Sequence, residues 1–353
     1  MSSDSAASRR PSLDELVAAT PATRDRYLDL LRAASILVVV FGHWLMAVLE
    51  WDDGRLETSN LLAEVRPLQL ATWVLQVMPV FFFVGGVVNR AAILSARRRG
   101  SGWAEYLQGR VDRLTRPVVP FALVWMGVAG SIALAGASGK PARVVLRVMA
   151  QPLWFLAVYL IVIAMAPAFV RLHERWRWWV PGVLALTAGM LDIVGEHVAG
   201  VGWANYPVVF LFAHQLGFFA GDGTLNGWPR HRMLLAGAVG LGALAALTAG
   251  PYPTSMVGVT GEARSNMSPP TLCIVALAVL QVALVLLARP AVARWLESPR
   301  AWGAVIVVNT SIMTIFLWHL PALVLVALLL LVGFPQPDVA SASWWLLRIP
   351  GSR

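Results

Sequence analysis

Charged residues and cysteine are both scarce in this 353-residue sequence. Only 13% of its residues are charged and 58% are hydrophobic, against about 25% and about 45–50% in a soluble domain. A single cysteine, Cys273, excludes an intrachain disulfide and a zinc or iron–sulfur thiolate site. The sequence also has no metal-ligand spacing and no glycine-rich phosphate loop of the Gly-x-x-x-x-Gly-Lys type. A mean hydropathy of +0.67 instead indicates a protein embedded in the lipid bilayer.

The charges that are present are mostly basic. Lysine and arginine number 28 against 19 acidic residues, which gives a formal net charge of +9. The basic residues crowd the short segments between apolar runs, which is how membrane topology is encoded. We therefore interpret the charge as orientation and expect no nucleic-acid partner. With the N-terminus in the cytosol, 20 of the 28 basic residues fall on the cytosolic side, so we predict that orientation.

Nine apolar segments come close to the length of about 20 residues that crosses a bilayer. They predict an all-α fold, a polytopic transmembrane helix bundle formed by one membrane domain, residues 27–353. We expect residues 1–26 to be a disordered cytosolic tail without a signal peptide. Residues 344–349 look like the start of a tenth span that is missing at the C-terminus. The nine predicted spans are 28–49, 72–94, 117–136, 152–170, 179–195, 204–220, 232–250, 270–288 and 301–333.

A titratable ring lies inside the first predicted span. Arg32 and His43 are 11 residues apart, so they share one helix face at a separation of about 16 Å along the axis. Arg32 can extend to the inner interface, whereas His43 cannot easily reach either one. An ionisable group inside a membrane usually faces the bundle interior and has a function. We predict that His43 is a general base; the alternative is a structural histidine that bonds to a neighbouring helix.

Three arginines directly precede the third predicted span. Arg110, Arg113 and Arg116 follow one another at i, i+3 and i+6 and so lie along one side of a helix. Guanidinium groups bind phosphates through several donors at once. The three arginines therefore predict a binding site for a nucleotide-bearing donor. The alternative is a purely topological role, as for the arginines at 97–99.

Several short motifs follow one another in a specific order: Tyr27-Leu28-Asp29-Leu30-Leu31-Arg32, Phe41-Gly42-His43, Met78-Pro79-Val80-Phe81-Phe82-Phe83-Val84-Gly85-Gly86, Arg110-x-x-Arg113-Leu114, Leu153-Trp154-Phe155-Leu156 and Ile315-Phe316-Leu317-Trp318-His319. This order resembles the membrane-bound acyltransferase 3 family over nearly the whole chain. The resemblance implies a plasma-membrane O-acyltransferase, usually of ten spans. Such an enzyme moves an acyl group, often acetyl, from acyl-CoA to a hydroxyl of a glycan or small molecule, with no bound cofactor.

The resemblance also implies roles for individual residues. In the family the first-helix histidine is catalytic, which assigns that role to His43. The family's Arg-x-x-Arg pair serves the donor, which assigns donor binding to Arg110 and Arg113, with Arg116 beside them. Arg32 takes a supporting role.

Two positions depart from the family pattern. Many members have a glutamate where this sequence has Tyr159, and a Ser-Gly pair where it has Gly85-Gly86, so we assign no serine nucleophile. Glu50, seven residues after His43 and predicted on the same helix face, is a candidate acidic partner or else an ordinary interfacial charge.

His319 and His214 also lie in apolar runs. We count His319 as a supporting candidate, and for both histidines a structural role is the alternative. The segment 251–270 either lines the acceptor side or is a plain connector.

A proton-coupled transporter or flippase is the alternative function. In it His43 would belong to a proton relay, and the chain would contain internal repeats and interrupted helices. The sequence shows no such repeat. A third alternative is a membrane scaffold without enzymatic activity.

Overall fold

A computed structural model of the chain describes residues 12–52, 55–136 and 140–333. This part of the chain forms thirteen α-helices and one short antiparallel hairpin. The elements are α1 Leu13–Ala18, α2 Arg26–Met46, β1 Ala47–Asp52, β2 Arg55–Asn60, α3 Leu61–Glu64, α4 Thr72–Leu75, α5 Met78–Arg98, α6 Trp103–Thr115, α7 Val118–Leu134, α8 Lys140–Trp176, α9 Trp179–His197, α10 Asn205–Gly221, α11 Arg230–Thr248, α12 Leu272–Trp295 and α13 Pro299–Gly333.

The apolar helices make this an integral membrane protein. Among the described residues, seven helices are long and apolar enough to cross a membrane, or eight if α6 and α7 form one span bent by 47°. Pro117 lies at that bend, where its missing N–H interrupts the helical hydrogen bonds. Each predicted span overlaps a helix, but α10 has only 17 residues. The count of nine spans stays a prediction, and the start of the missing tenth lies outside the described residues.

Helices α5 and α10 form the centre of the bundle. All α10 residues from 209 to 220 are buried. A Cβ on Gly86 would lie 2.0 Å from the carbonyl oxygen of His214, and a Cβ on Gly217 would lie 2.2 Å from that of Phe83. Only glycine permits this approach, and small residues are the usual means of close helix packing in membranes. The glycines therefore fix α5, which carries much of the site described below.

The two ends of the bundle differ in charge. At one end, Arg97 at the end of α5 forms a 2.8 Å ion pair with Glu174 of α8. Arg90 donates a 3.2 Å hydrogen bond to the carbonyl oxygen of Gly221, at the end of α10. The arginine-rich segment 97–116 lies here as well. We call this the basic end.

A network around Asp222 joins α8 to the loop after α10 at the basic end. His173 Nε2 lies 3.0 Å and Arg177 Nη1 2.8 Å from the same Asp222 oxygen. Partial burial alone would raise the pKa of Asp222, but hydrogen bonds from Thr224, His173 and Arg177 lower it to about 2. Asp222 therefore stays charged at neutral pH, and its contacts join the end of α8 to the loop that follows α10.

The opposite end carries the segment 249–271 between α11 and α12. Asp192 of α9 accepts hydrogen bonds from the Tyr252 hydroxyl at 2.9 Å, the Leu272 backbone N–H at 2.7 Å and Asn205 Nδ2 at 2.8 Å. Burial and the adjacent carboxylate raise the pKa of Tyr252, so its hydroxyl keeps the proton that it donates. These contacts tie the segment to three helices. We call this the loop end.

The structure contains a helix within the predicted disordered tail, residues 1–26. Ser12 begins α1 with a capping box. A Cβ on Gly303 of α13 would lie 3.1 Å from Leu13, so α1 packs directly on α13. Trp302 Nε1 donates a 2.9 Å hydrogen bond to the Thr20 hydroxyl. The disorder prediction does not hold for α1, which contacts a helix that is distant in the sequence, although none of its own side chains is buried.

Candidate active site

His43 lies beside a second histidine, which α13 supplies. His43 Nδ1 and His319 Nε2 are 2.8 Å apart. The two ring planes are within 15° of parallel, with centroids 5.1 Å apart. Trp44 Nε1 donates a 3.0 Å hydrogen bond to the carbonyl oxygen of His319, which joins α2 to α13 at this level. His319 is buried, whereas His43 keeps partial exposure. We call these two residues the histidine pair.

A third contact determines which nitrogens of the pair carry protons. His319 Nδ1 lies 2.6 Å from the carbonyl oxygen of Phe316, and a carbonyl oxygen can only accept. We therefore assign the proton of neutral His319 to Nδ1, which leaves its Nε2 as an acceptor. His43 Nδ1 must then be the donor between the two rings. His43 Nε2 is left with a free lone pair, which is the state that a general base requires.

A small cavity lies about one helical turn from the pair, toward the basic end. Its volume is about 10 Å³, close to the minimum that admits one water molecule. Val39 lies four residues before His43, and Phe316 three residues before His319, so both point to the same level of the bundle. The lining residues are Ser35, Ile36, Val39, Val77, Met78, Phe81, Phe155 and Phe316. We call this the apolar cavity.

Arg32 joins the N-terminal half of α2 to α13. Its Nε and Nη2 atoms lie 2.8 and 2.7 Å from Asn309 Oδ1 of α13, and Nη2 lies 3.0 Å from Asp29. The guanidinium group therefore joins α2 to α13. This arrangement suits the supporting role predicted for Arg32, because the same two helices carry the histidine pair.

A larger cavity opens at the basic end, with a volume of about 240 Å³. Two of the three predicted donor arginines line it. Arg99, for which we predicted only a topological role, lines the cavity as well. Arg116 follows α6 as its C-cap and is not among the lining residues. The cavity is lined by Ala92, Ala96, Arg99, Ser101, Glu105, Tyr106, Gly109, Arg110 and Arg113, and we call it the basic cavity.

Tyr159 lies between the two cavities. Its ring meets Phe81 edge-on at 5.4 Å and lies nearly parallel to Phe155 at 6.1 Å. Its hydroxyl interacts with the Asn89 side chain and is within electrostatic range of Arg110 and Arg32. Tyr159, predicted to replace the family's glutamate, thus faces the donor arginines rather than His43.

Gly85 and Tyr159, the two positions that depart from the family pattern, are in contact. A Cβ on Gly85 would lie 3.2 Å from Tyr159 Cε2, which is tighter than ordinary van der Waals contact. A serine at position 85 would therefore crowd the larger ring at position 159.

Glu50 requires a correction. Helix α2 ends at Met46, and Glu50 lies in β1, paired with Glu57 of β2. Helical spacing no longer applies beyond Met46, so the prediction that Glu50 shares a helix face with His43 is wrong. The contact that the structure gives His43 Nδ1 is with His319. This partner is 276 residues away in sequence, and only its position in an apolar run marked it beforehand.

His214 lies elsewhere in the bundle. It is buried on α10, and its Nε2 is 3.1 Å from Asn89 Nδ2. It is therefore a neighbour of Tyr159 and Asn89, and not of the histidine pair.

An apolar bundle with a basic opening at one end and a paired histidine in its interior defines a membrane-embedded site for group transfer. The family model of the acyltransferase 3 family, described as an acyltransferase domain, matches residues 25–351. The chain belongs to this family. It is a membrane acyltransferase that transfers groups other than aminoacyl groups. No curated protein and no solved structure matches the chain, and nothing in the comparisons supports the transporter alternative.

Proposed function

We propose that the protein transfers an acyl group, acetyl in the simplest case, from a coenzyme A thioester to a hydroxyl of a glycan or a small molecule. The observation that carries this proposal is the histidine pair, because it leaves His43 Nε2 free to accept a proton. The basic cavity supports the donor assignment, since three arginines line one opening and can bind several phosphates.

Transfer needs one proton to move twice. The acceptor hydroxyl gives its proton to His43 Nε2 as its oxygen forms a bond to the thioester carbonyl carbon. The carbon–sulfur bond then breaks, and the departing thiolate takes the proton from His43. His319 holds His43 Nδ1 throughout and keeps the ring oriented. In a two-step route the same free nitrogen would attack the thioester first and form an acyl-histidine.

The proposed orientation follows from charge. The basic end faces the cytosol of the plasma membrane, as the excess of arginine there requires. A cytosolic N-terminus is proposed on the same ground, the distribution of basic residues along the sequence. The donor enters from the cytosol through the basic cavity, and the acceptor reaches the histidine pair from the loop end.

Lysine substitutions at Arg110 and Arg113 test the donor site. Lysine keeps the charge but loses the planar fork that binds phosphate through two donors. We expect the KM for acetyl-CoA to rise roughly tenfold in each variant, with membrane insertion unchanged. Arg98→Lys is the matched control, because Arg98 is exposed and does not line the cavity.

The assay measures acetyl transfer by purified protein in nanodiscs. The acceptor is the hydroxyl compound whose acyl increment disappears from cells that lack the gene, identified by mass spectrometry. If both lysine variants bind acetyl-CoA as the wild type does, the arginines serve topology alone. If the wild type transfers no acyl group from any coenzyme A thioester, the proposed donor is wrong.

A further inference from the structure

Among the described residues, several buried polar side-chain atoms have no hydrogen-bond partner, and two of them lie near the region between the two cavities. One is the hydroxyl oxygen of Tyr106, a residue that lines the basic cavity. The other is Oδ1 of Asn89, whose side chain is fully buried on α5. Turning the Asn89 amide over would leave its nitrogen unpaired instead. A buried polar atom without a partner is destabilising, so a ligand that bonds to these two would remove that cost.

A continuous face of α5 connects the two cavities. Ala96 and Ala92 line the basic cavity, and Phe81 lines the apolar cavity. Asn89 and Gly85 lie between them at intervals of three and four residues, which places all five on one helix face. The face is about 22 Å long. Ala92 and Ala96 border the basic cavity, the Tyr159 ring lies against Gly85, and Asn89 is the one polar member of the five.

Tyr159 completes this path from the side of α8. Its ring lies against Gly85 and Phe81, and its hydroxyl interacts with Asn89. Although it lies inside the bundle, Tyr159 keeps partial exposure, as a residue beside internal space would. Arg110 lies over the Tyr106 ring, 5.8 Å from its centroid. The polar groups therefore continue from the arginines through Tyr106 and Tyr159 to Asn89.

We propose that Tyr106 and Asn89 bind the two secondary amides of the donor's pantetheine arm. An amide offers one N–H donor and one carbonyl acceptor, which match the Asn89 oxygen and the Tyr106 hydroxyl. The arm connects the phosphates of coenzyme A to its thioester, and the α5 face connects the basic cavity to the apolar cavity, about one helical turn from the histidine pair. This inference rests on the proposed function and adds a donor subsite to it. The subsite rejects thioesters that lack amides.

The test combines two variants with altered donors. Tyr106→Phe and Asn89→Leu each remove polar atoms with little change in volume. The donors are acetyl-CoA and two analogues, each with one pantetheine amide replaced by two methylene groups. We expect each variant to raise the KM for acetyl-CoA roughly tenfold. With the analogue that lacks the partner amide, the same variant should cause no further loss, because the hydrogen bond is already absent.

Tyr206→Phe is the control, because it removes a hydroxyl at the loop end, where Tyr206 contacts Ser268. If variant and analogue losses multiply in every combination while the wild type is active, this inference alone fails. If the wild type does not use acetyl-CoA at all, the proposed function fails with it. Tyr106→Phe decides the question if Asn89→Leu, which also removes a partner of buried His214, does not fold.

Discussion

The position of one proton decides whether His43 can act as a base. Two hydrogen bonds set that position. His319 Nδ1–H donates to the carbonyl oxygen of Phe316, and His43 Nδ1–H donates to His319 Nε2. His319 touches neither donor nor acceptor in this account and acts through His43. It is therefore a positioning residue, comparable in logic to the group that orients the base in other acyl-transfer sites.

Substitution of His319 separates this role from simple packing. In His319→Leu the His43 Nδ1–H loses its acceptor, so His43 can adopt the other tautomer. We expect kcat to fall roughly 10- to 100-fold with the KM for acetyl-CoA unchanged. His319→Gln should recover part of the loss, because its amide oxygen can accept the same hydrogen bond.

Equal turnover in the leucine, glutamine and wild-type proteins would show that His319 does not position His43. Equal losses in both variants, without recovery by glutamine, would also contradict the hydrogen-bonding role. Thermal unfolding of each variant is recorded in parallel, so that turnover is compared only between folded proteins.

Single residues also show how far the sequence could predict the site. His43 was found because an ionisable ring inside a predicted span is unusual, and Arg110 and Arg113 because their spacing is helical. Arg99 was not found, since a turn and not a helical repeat brings it to the basic cavity. Gly85 and Tyr159, the two positions that depart from the family pattern, are in contact, but they are 74 positions apart, so this contact is invisible without the fold.

The stability of the bundle depends on the packing of helix α5 against helix α10. A methyl group on Gly86 would lie 2.0 Å from the backbone oxygen of His214, and a backbone atom cannot move aside as a flexible side chain can. We expect Gly86→Ala to separate the two helices and to destabilise the protein by about 3 kcal/mol or more. The measurement is the thermal unfolding temperature and the monodisperse yield in detergent.

Gly182→Ala in α9 is the matched control. No atom lies within 4 Å of the position its Cβ would take, and alanine favours a helix more than glycine does. This variant should unfold at the wild-type temperature or slightly above it. A Gly86→Ala protein as stable as Gly182→Ala would mean that α5 and α10 do not pack as described.

The elements also show where prediction by hydropathy ends. Long apolar runs predicted the helices because a bilayer-spanning segment must satisfy its backbone hydrogen bonds internally. The ends of the helices were less predictable. The first span was expected to reach residue 49, yet α2 ends at Met46 and the chain continues into β1. The contact between α1 and α13 depends on tertiary packing, which a local pattern does not contain.

At the level of the whole molecule, the two ends of the bundle do different work in the proposed reaction. The basic end offers arginines to a charged donor, and the loop end is fixed by Asp192 and its partners. The histidine pair lies between them on α2 and α13, where reactants from opposite sides could meet. No single segment encodes this arrangement, because α2, α5, α6, α8 and α13 all contribute side chains.

Acyl transfer by His43→Gln tests the central claim most directly. Glutamine can fill a hydrogen bond but cannot take a proton near neutral pH. His197→Gln, at an exposed position at the end of α9, is the control for the substitution itself. Both proteins are compared with the wild type in nanodiscs, with acetyl-CoA as donor and with thermal stability measured in parallel.

We predict that His43→Gln folds, binds acetyl-CoA with wild-type affinity and loses roughly 100-fold or more of its turnover, the size expected for removal of general acid–base catalysis. His197→Gln should retain full turnover. A folded His43→Gln protein with near wild-type turnover would contradict the account and leave the histidine pair as a packing contact between α2 and α13.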